Sequence, residues 1–272
     1  MIKPLFNQSD IIVNGIKLHY TRTGDGNQPA VMLAHGFSDS GMCWLPAAQE
    51  LSMEYDVILP DARGHGQSER IKEGVQLDMV GDLAGLIDGL GLKGLVLGGH
   101  SMGASVSATV GATHPGLMRA LILEDPAWFM PKPAETQSEP PRPNTYSTWL
   151  MSLSDQTVEE VMAKCHEDNP TWAEIELRPW AESKLAFDPN FMGIRGLADM
   201  SWQDVARAIQ CPTLLITAEP SQGAIVSPGV AALASSLNPK IQVVKIEGAG
   251  HNIRREAYSA YIAAVKDFLN GL

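Results

Sequence analysis

A short glycine-rich stretch, Gly99-His100-Ser101-Met102-Gly103, holds a serine in a setting typical of a catalytic nucleophile. The apolar run 94–101 predicts a buried strand, and the small residues of 102–113 predict a helix. A turn from strand to helix this sharp strains the central residue and leaves no room for side chains at the flanking glycines. Ser101 would then project above a sheet at the positive end of a helix, where developing negative charge is favoured.

A histidine that could act as general base lies far along the chain. His251 occurs in a glycine-rich loop between the last apolar run, 241–248, and a helical pattern over 253–269. Because loops at the carboxyl ends of parallel strands meet at one edge of a sheet, His251 could approach a nucleophile on another strand. The remaining histidines are interpreted as scaffold, surface or packing residues: His19, His35, His65, His100, His114 and His166.

The elements that must position these residues alternate along the chain. Apolar, β-branched runs occur at 10–24, 30–36, 56–66, 94–101, 119–126, 213–219 and 241–248. The first contains Asn14-Gly15, a strong two-residue turn signal, and therefore predicts a hairpin. Helical patterns occur at 77–90, 102–113 and 253–269. Strands that alternate with helices after an opening hairpin predict an α/β fold with a mostly parallel central sheet flanked by helices.

The alternation stops between Ala127 and Ala206. This stretch opens with proline-rich sequence that lacks a strand signal, and it continues with helical patterns and scattered tryptophan and phenylalanine. We therefore expect a helical cap over 127–206, inserted after the sixth strand, and a core formed by 1–126 and 207–272. Trp128 and Trp149 are candidate substrate-binding residues of the cap.

Four motifs resemble those of the α/β-hydrolase fold superfamily in order and spacing, over nearly the whole chain. They are "LAHGF" (33–37), "DARGHGQS" (61–68), "GGHSMGA" (98–104) and "GAGHNIRRE" (248–256). The resemblance implies an oxyanion hole made by the backbone N–H groups of Phe37 and Met102, and a structural role for Asp61. Two preorganised donors matter because the loss of one typically lowers the rate by ~10²–10³.

The triad acid is the unusual part of this sequence. In the superfamily it usually follows the seventh strand, but here that strand ends at Glu219 and leads into Pro220-Ser221-Gln222-Gly223. One branch, with haloalkane dehalogenase-like and some lactonase-like members, carries the acid at the end of the sixth strand, where Asp125 lies 24 residues after Ser101. Glu124 would face the opposite way by strand alternation. We rank Asp125 first, Glu219 second and Glu124 third, and a purely structural role stays open for each.

Composition limits the partners and the compartment. A chain of 272 residues with 44% hydrophobic residues suffices for one large α/β domain. A net charge of −11 makes nucleic acid and membrane unexpected partners. Three dispersed cysteines, Cys43, Cys165 and Cys211, favour a reducing cytoplasm. The N-terminus has no signal-peptide pattern, and no apolar run approaches the ~18 residues of a membrane span.

These features predict a serine hydrolase without cofactor or metal that acts through an acyl-enzyme. His251 would take the Ser101 proton, and Asp125 would orient His251. The expected substrate is a small-molecule carboxylic ester, including lactones such as acyl-homoserine lactones. A serine at the elbow, where dehalogenases and epoxide hydrolases have aspartate, argues against those two activities. Amide or carbon–carbon bond hydrolysis by the same triad is the alternative, as is a ligand-binding relative that has lost turnover.

Overall fold

The computed structural model describes residues 6–72, 74–129, 145–193 and 200–272. Most of the proline-rich stretch therefore lies outside the described residues. The strands are β1 (Asn7–Val13), β2 (Ile16–Arg22), β3 (Ala30–Ala34), β4 (Asp56–Pro60), β5 (Leu95–His100), β6 (Met118–Glu124), β7 (Thr213–Thr217) and β8 (Ile241–Lys245). The helices are α1 (Leu45–Leu51), α2 (Met79–Gly89), α3 (Met102–Thr113), α4 (Thr145–Met151), α5 (Val158–Asp168), α6 (Glu174–Leu185), α7 (Trp202–Ala208), α8 (Pro228–Leu237), α9 (Ile253–Glu256) and α10 (Tyr258–Asn270).

The strands form one sheet in the order β1-β2-β4-β3-β5-β6-β7-β8. The β1–β2 and β2–β4 pairs are antiparallel, and every pair from β4–β3 to β7–β8 is parallel. β1 and β2 form the expected hairpin, with Asn14 and Gly15 both at positive φ (51° and 77°) as a type I′ turn requires. The expected mostly parallel sheet flanked by helices is confirmed.

The central strands are buried on both faces, which explains their continuous apolar sequences. Along β3, Met32 belongs to the core on one face of the sheet, while Val31 and Leu33 belong to the core on the other. Helices α2 and α3 cover the first face, and α1 and α10 cover the second. Because both faces of such a strand are buried, its sequence is apolar throughout and does not alternate between apolar and polar residues.

A helical insertion follows β6, as expected. Helices α4, α5, α6 and α7 lie between β6 and β7. The last of them, α7, packs on α3 of the sheet domain and continues to Ala208, two residues past the expected end of the cap. The division into a core and a cap at 127–206 stays a prediction.

Two details of the carboxyl-terminal part differ from the sequence patterns. The helical pattern over 253–269 is broken into α9 and α10, because Ala257 adopts a non-helical backbone conformation (φ −139°, ψ 54°). Helix α8 was not predicted, although Ser227 caps it by accepting from the Val230 N–H and Pro228 occupies its first turn. In the described parts of the chain, no helix combines the length and the apolar character that crossing a membrane requires.

Candidate active site

Ser101 occupies a strained turn between β5 and α3. Its φ and ψ are 52° and −114°, a conformation that a non-glycine residue rarely adopts. A Cβ at Gly103 would lie 2.4 Å from the Ala34 carbonyl oxygen, and one at Gly99 would lie 2.5 Å from the Gly103 carbonyl carbon. Only glycine fits at either position, so Gly99 lets β5 approach the start of α3, and Gly103 lets α3 approach the end of β3.

Asp125 and His251 are brought together from distant parts of the chain. The distance from His251 Nδ1 to Asp125 Oδ2 is 2.6 Å. Asp125 is fully buried, lies one residue past the end of β6 and has a positive φ of 41°. A carboxylate oxygen accepts hydrogen bonds, so Nδ1 of His251 is the donor in this pair. Nε2 is then the ring nitrogen left to exchange a proton with a hydroxyl.

The loop after β7, where a carboxylate was missing, contacts Asp125 through its backbone. The Ile225 N–H donates to Asp125 Oδ2 at 2.8 Å, and the Val226 N–H donates to Oδ1 at 2.9 Å. The loop thus holds the carboxylate that ends the neighbouring strand instead of supplying one. Backbone donors have no side-chain signature, so sequence reasoning missed them.

The two other candidate acids are engaged elsewhere. Glu219 forms an ion pair with Lys245 at 2.6 Å. Glu124 accepts from the backbone N–H of Arg254 at 2.9 Å and from its guanidinium at 3.2 Å. Burial raises the pKa of Glu124, and Arg254 opposes that effect. The Glu124 side chain therefore anchors the start of α9.

The backbone around His251 is fixed by two side chains. His100 Nε2 lies 2.9 Å from the His251 carbonyl oxygen, to which it can only donate. The carboxylate of Glu256 accepts from the N–H groups on either side of His251, Gly250 at 2.5 Å and Asn252 at 3.2 Å. Burial holds the pKa of His100 well below its usual value, so this ring is neutral. The backbone at His251 is thus held by side chains from the end of β5 and from α9.

Phe37 and Met102 lie where the β3 loop meets the elbow. Met102 is the first residue of α3, directly after Ser101. Phe37 follows Gly36, and a Cβ added at Gly36 would lie 3.5 Å from the Ser101 Cβ. The Phe37 ring is partly buried and lies between 5.1 and 6.0 Å, centroid to centroid, from three rings that follow β6: Tyr146, Phe187 and Phe191. The backbone of Phe37 therefore borders the elbow, while its side chain packs on the insertion.

A buried ionic cluster supports the same loop, and sequence reasoning missed it. Asp39 contacts Lys184 of α6 at 2.5 Å and Arg255 of α9 at 3.0 Å. Lys184 also donates to the Ser38 carbonyl oxygen at 3.1 Å. Burial tends to raise the pKa of Asp39, but Arg255, Lys184 and Arg254 outweigh burial and hold it well below its usual value. The ionised Asp39 thus joins the loop, the insertion and α9.

The two tryptophans proposed to bind substrate occupy different settings. Trp128 is 2% exposed and stacks on Trp202 at 5.4 Å, so it offers almost no surface to a ligand. Trp149 is partly buried, between the rings of Tyr146 at 5.2 Å and Trp180 at 5.9 Å. Tyr146 in turn hydrogen-bonds Ser38 Oγ at 2.7 Å. Trp149 therefore belongs to an aromatic row that begins at the Phe37 loop.

Metal ligands are not clustered in the described residues. Over these ranges the side chains form no group of three or more histidine, cysteine, aspartate or glutamate residues that could hold an ion. All three cysteines are free and buried, and burial raises the pKa of each thiol. They are thus poor nucleophiles, because the thiolate is the reactive form.

This fold, with a serine in a strained turn between β5 and α3 and a histidine paired with the carboxylate that follows β6, is typical of one class of enzyme. The sequence profile of the α/β hydrolase fold family matches residues 29–254, and the chain belongs to that family. It is accordingly a hydrolase of the α/β fold.

Two curated relatives match almost end to end. N-formylmaleamate deformylase of Pseudomonas putida is 30% identical over 275 residues, which cover 96% of this chain and 96% of that protein. 2-(Acetamidomethylene)succinate hydrolase of Mesorhizobium japonicum is 28% identical over 95% of this chain and 93% of its own length. The crystal structure of an N-formylmaleamic acid deformylase from Pseudomonas putida superposes with a TM-score of 0.73 at 26% identity, covering 95% of this chain and all of that one.

Proposed function

We propose that this protein hydrolyses the amide bond of a small N-acyl compound through an acyl-enzyme on Ser101. The observation that carries the proposal is the full-length similarity to a deformylase and to a hydrolase of an acetamido compound, at 30% and 28% identity. Both names describe N-acyl groups on short carboxylated skeletons. The hydrogen-bonded Asp125–His251 pair supports the catalytic part of the proposal.

In the first half-reaction, His251 Nε2 takes the proton of the Ser101 hydroxyl while Oγ attacks the acyl carbon. The positive charge that develops on His251 is stabilised by Asp125, at 2.6 Å. The negative charge that develops on the acyl oxygen is stabilised by the N–H groups of Phe37 and Met102. His251 then gives its proton to the nitrogen, and the carbon–nitrogen bond breaks.

In the second half-reaction, water replaces the departed nitrogen compound. His251 takes a proton from the water, and the resulting hydroxide attacks the acyl carbon. When the bond to Ser101 Oγ breaks, His251 returns the proton to Ser101 and the short carboxylic acid leaves. The serine, the histidine and the aspartate are then in their starting states, so the cycle uses only substrate and water.

Protonation of the leaving group is the step that separates amides from esters. An alkoxide can leave with little help, whereas an amide nitrogen departs only after it gains a proton. The firm seating of His251 between Asp125, His100 and Glu256 suits that task, because the same ring must deliver the proton without moving far.

Ester hydrolysis is the second candidate. The same triad acylates with esters, and the row formed by Phe37, Tyr146 and Trp149 offers an apolar wall for an acyl or alkyl group. Lactones, including acyl-homoserine lactones, fall within this candidate.

A substrate panel distinguishes the two. It contains N-formylmaleamate, 2-(acetamidomethylene)succinate, N-acetyl enamides without carboxylates, p-nitrophenyl acetate and N-butyryl-homoserine lactone, each with the Ser101→Ala variant as control. The amide proposal predicts the highest kcat/KM on a member of the N-acyl group. If p-nitrophenyl acetate or the lactone exceeds every amide while Ser101→Ala abolishes turnover, the ester candidate replaces it.

A further inference from the structure

The peptide between Gly36 and Phe37 is held by its carbonyl end. The Gly36 oxygen accepts from the Asp39 N–H at 3.1 Å and lies 2.8 Å from Nδ1 of His35. In a planar trans peptide, the carbonyl oxygen of one residue and the N–H of the next point in opposite directions. Whatever fixes the Gly36 oxygen therefore also fixes the direction of the Phe37 N–H, the expected oxyanion donor.

The protonation of His35 follows from its two partners. The Ala62 N–H donates to His35 Nε2 at 3.0 Å, so Nε2 must carry a lone pair. The Gly36 carbonyl oxygen can only accept, so Nδ1 must carry the proton. The ring is 2% exposed, and burial lowers its pKa despite the opposing charge of Asp61. His35 is accordingly a neutral Nδ1–H imidazole with both nitrogens engaged.

The next peptide of the loop is held in the same manner. The Ser38 N–H points at Nε2 of His65 at 3.4 Å, and Nδ1 of His65 lies 3.0 Å from the Arg63 carbonyl oxygen. The two imidazole rings are 4.9 Å apart, and Lys184 holds the Ser38 carbonyl oxygen at 3.1 Å. Polar atoms on both sides of Phe37 thus have partners that fix the loop.

We propose that His35 is a positioning residue: its Nδ1–H, bonded to the Gly36 carbonyl oxygen, aims the Phe37 N–H at the oxyanion. This inference rests on the proposed acyl-enzyme mechanism. His35 acts through the backbone and does not touch the substrate. Its contribution is expected in the transition state, because only there does the substrate oxygen carry the negative charge that a well-aimed donor stabilises.

A matched pair of variants tests the position of the donor. In His35→Asn the side-chain amide can place its N–H where Nδ1 was, whereas in His35→Gln the amide lies one bond further out, near the place of Nε2. With p-nitrophenyl acetate, we expect His35→Gln to lower kcat by ~10–10² with little change in KM, because removal of a whole oxyanion donor typically lowers kcat by ~10²–10³. His35→Asn should recover most of that loss. Equal kcat values in the two variants would overturn the proposal.

A transition-state analogue separates aiming from general damage. A trifluoromethyl ketone forms a tetrahedral adduct whose oxygen occupies the oxyanion hole, whereas the product acetate binds without such an adduct. The proposal predicts that His35→Gln lowers the affinity for the ketone in proportion to the loss of kcat. The affinity for acetate should stay unchanged. Equal losses of affinity for the ketone and for acetate would show that the substitution disturbs the whole pocket, and that result contradicts a positioning role. His114→Gln, at an exposed histidine, is the surface control.

A long-range ¹H–¹⁵N spectrum of the imidazoles tests the geometry even if the His35 variants misfold. At neutral pH the wild type should show a neutral Nδ1–H ring for His35, assigned by difference from His35→Asn or by its contacts to Ala62. The same signal should persist in Ser101→Ala. An Nε2–H or doubly protonated His35 overturns the inference. If Ser101→Ala keeps full activity while this signal is present, the proposed acyl-enzyme mechanism has failed and the tautomer stands.

Discussion

Backbone strain is concentrated at three residues of the candidate site. Ser38, Ser101 and Asp125 have positive φ values of 60°, 52° and 41°. Such conformations typically cost about 1–3 kcal/mol each and persist only where surrounding contacts hold them. The loop after β7 holds Asp125, and Lys184 holds Ser38. These contacts offset the strain at Ser38 and Asp125.

The first prediction concerns the triad acid. Asp125→Asn should lower kcat by ~10³–10⁴, because a neutral amide neither stabilises the His251 imidazolium nor fixes its tautomer. Glu219→Gln should change kcat far less, since Glu219 pairs with Lys245. Steady-state kinetics and melting temperatures of both variants check this. Normal turnover in Asp125→Asn beside a crippled Glu219→Gln would place the acid after β7.

At this scale the sequence predicted positions better than contacts. The Asp125–His251 pairing could be expected because Asp125 follows Ser101 by 24 residues, the spacing of the superfamily branch whose acid ends the sixth strand. The Ile225 and Val226 N–H donors could not, since any residue type but proline presents the same group. The contacts of Asp39 also escaped prediction, because Lys184 and Arg255 lie 145 and 216 residues further along the chain.

At the scale of elements, Lys184 joins the insertion to the sheet domain. The lysine projects from α6, is almost completely buried and contacts Asp39 in the loop after β3. Burial acts to lower the pKa of Lys184, but Asp39, Tyr146 and Cys43 together outweigh burial and raise it, so the lysine stays charged. An ion pair so placed makes the position of α6 and the shape of the loop after β3 depend on each other.

The second prediction follows from that pair. Lys184→Met should lower the free energy of unfolding by about 3–5 kcal/mol, because removal of one partner leaves a buried charge less well compensated. Arg255 and Arg254 still face Asp39, which favours the lower end. Arg178→Met on the same helix is the control, and it should change stability little because Arg178 pairs at the surface. Urea unfolding measures both, and equal effects would contradict the bridging role of Lys184.

The third prediction separates the two tryptophans. Trp149→Ala should shift the preferred acyl length of substrates, because Trp149 belongs to the aromatic row that starts at the Phe37 loop. Trp128→Ala should instead lower stability by about 3–5 kcal/mol, as for other buried aromatic residues. Specificity constants on p-nitrophenyl esters of graded length, with urea unfolding, test both. If Trp149→Ala left the dependence of kcat/KM on acyl length unchanged, Trp149 would have only a packing role.

The alternation of strands and helices was predictable from the sequence, whereas helix α8 and the break between α9 and α10 were not. The βα alternation emerges because strands buried on both faces need continuous apolar runs. Helix α8 escaped because its buried face is made of small residues, such as Ala231 and Ala234, that give weak periodicity. The break between α9 and α10 occurs at Ala257, an ordinary helix former, so tertiary contacts override its local preference.

At the scale of the whole molecule, buried histidines link stability to pH. Burial lowers the pKa of His35 and holds the pKa values of His65 and His100 well below their usual value. The unfolded chain therefore binds more protons than the folded one below pH ~6.5, the ordinary histidine pKa. Stability is then complete above that pH and is lost as the pH falls towards the lowered pKa values.

The fourth prediction is the size and sign of this effect. Between pH 6.5 and 5, the free energy of unfolding should fall by up to ~1.4 kcal/mol per pH unit for each of the three histidines. The net charge of −11 acts the other way, because acid relieves repulsion, but that surface effect is largely screened at 0.15 M salt. Urea unfolding across this range measures the slope. A flat or rising stability towards pH 5 would contradict neutral buried histidines.

The central claim is that Ser101 forms an acyl-enzyme, and intact-protein mass spectrometry during turnover tests it most directly. When the enzyme is mixed with p-nitrophenyl acetate and quenched in acid within milliseconds, the account predicts a fraction of the protein with one added acetyl group, mapped to Ser101. Asp125→Asn should accumulate the adduct more slowly, and Ser101→Ala should show none. Turnover without any adduct on Ser101, or an adduct of equal yield in Ser101→Ala, would contradict the account.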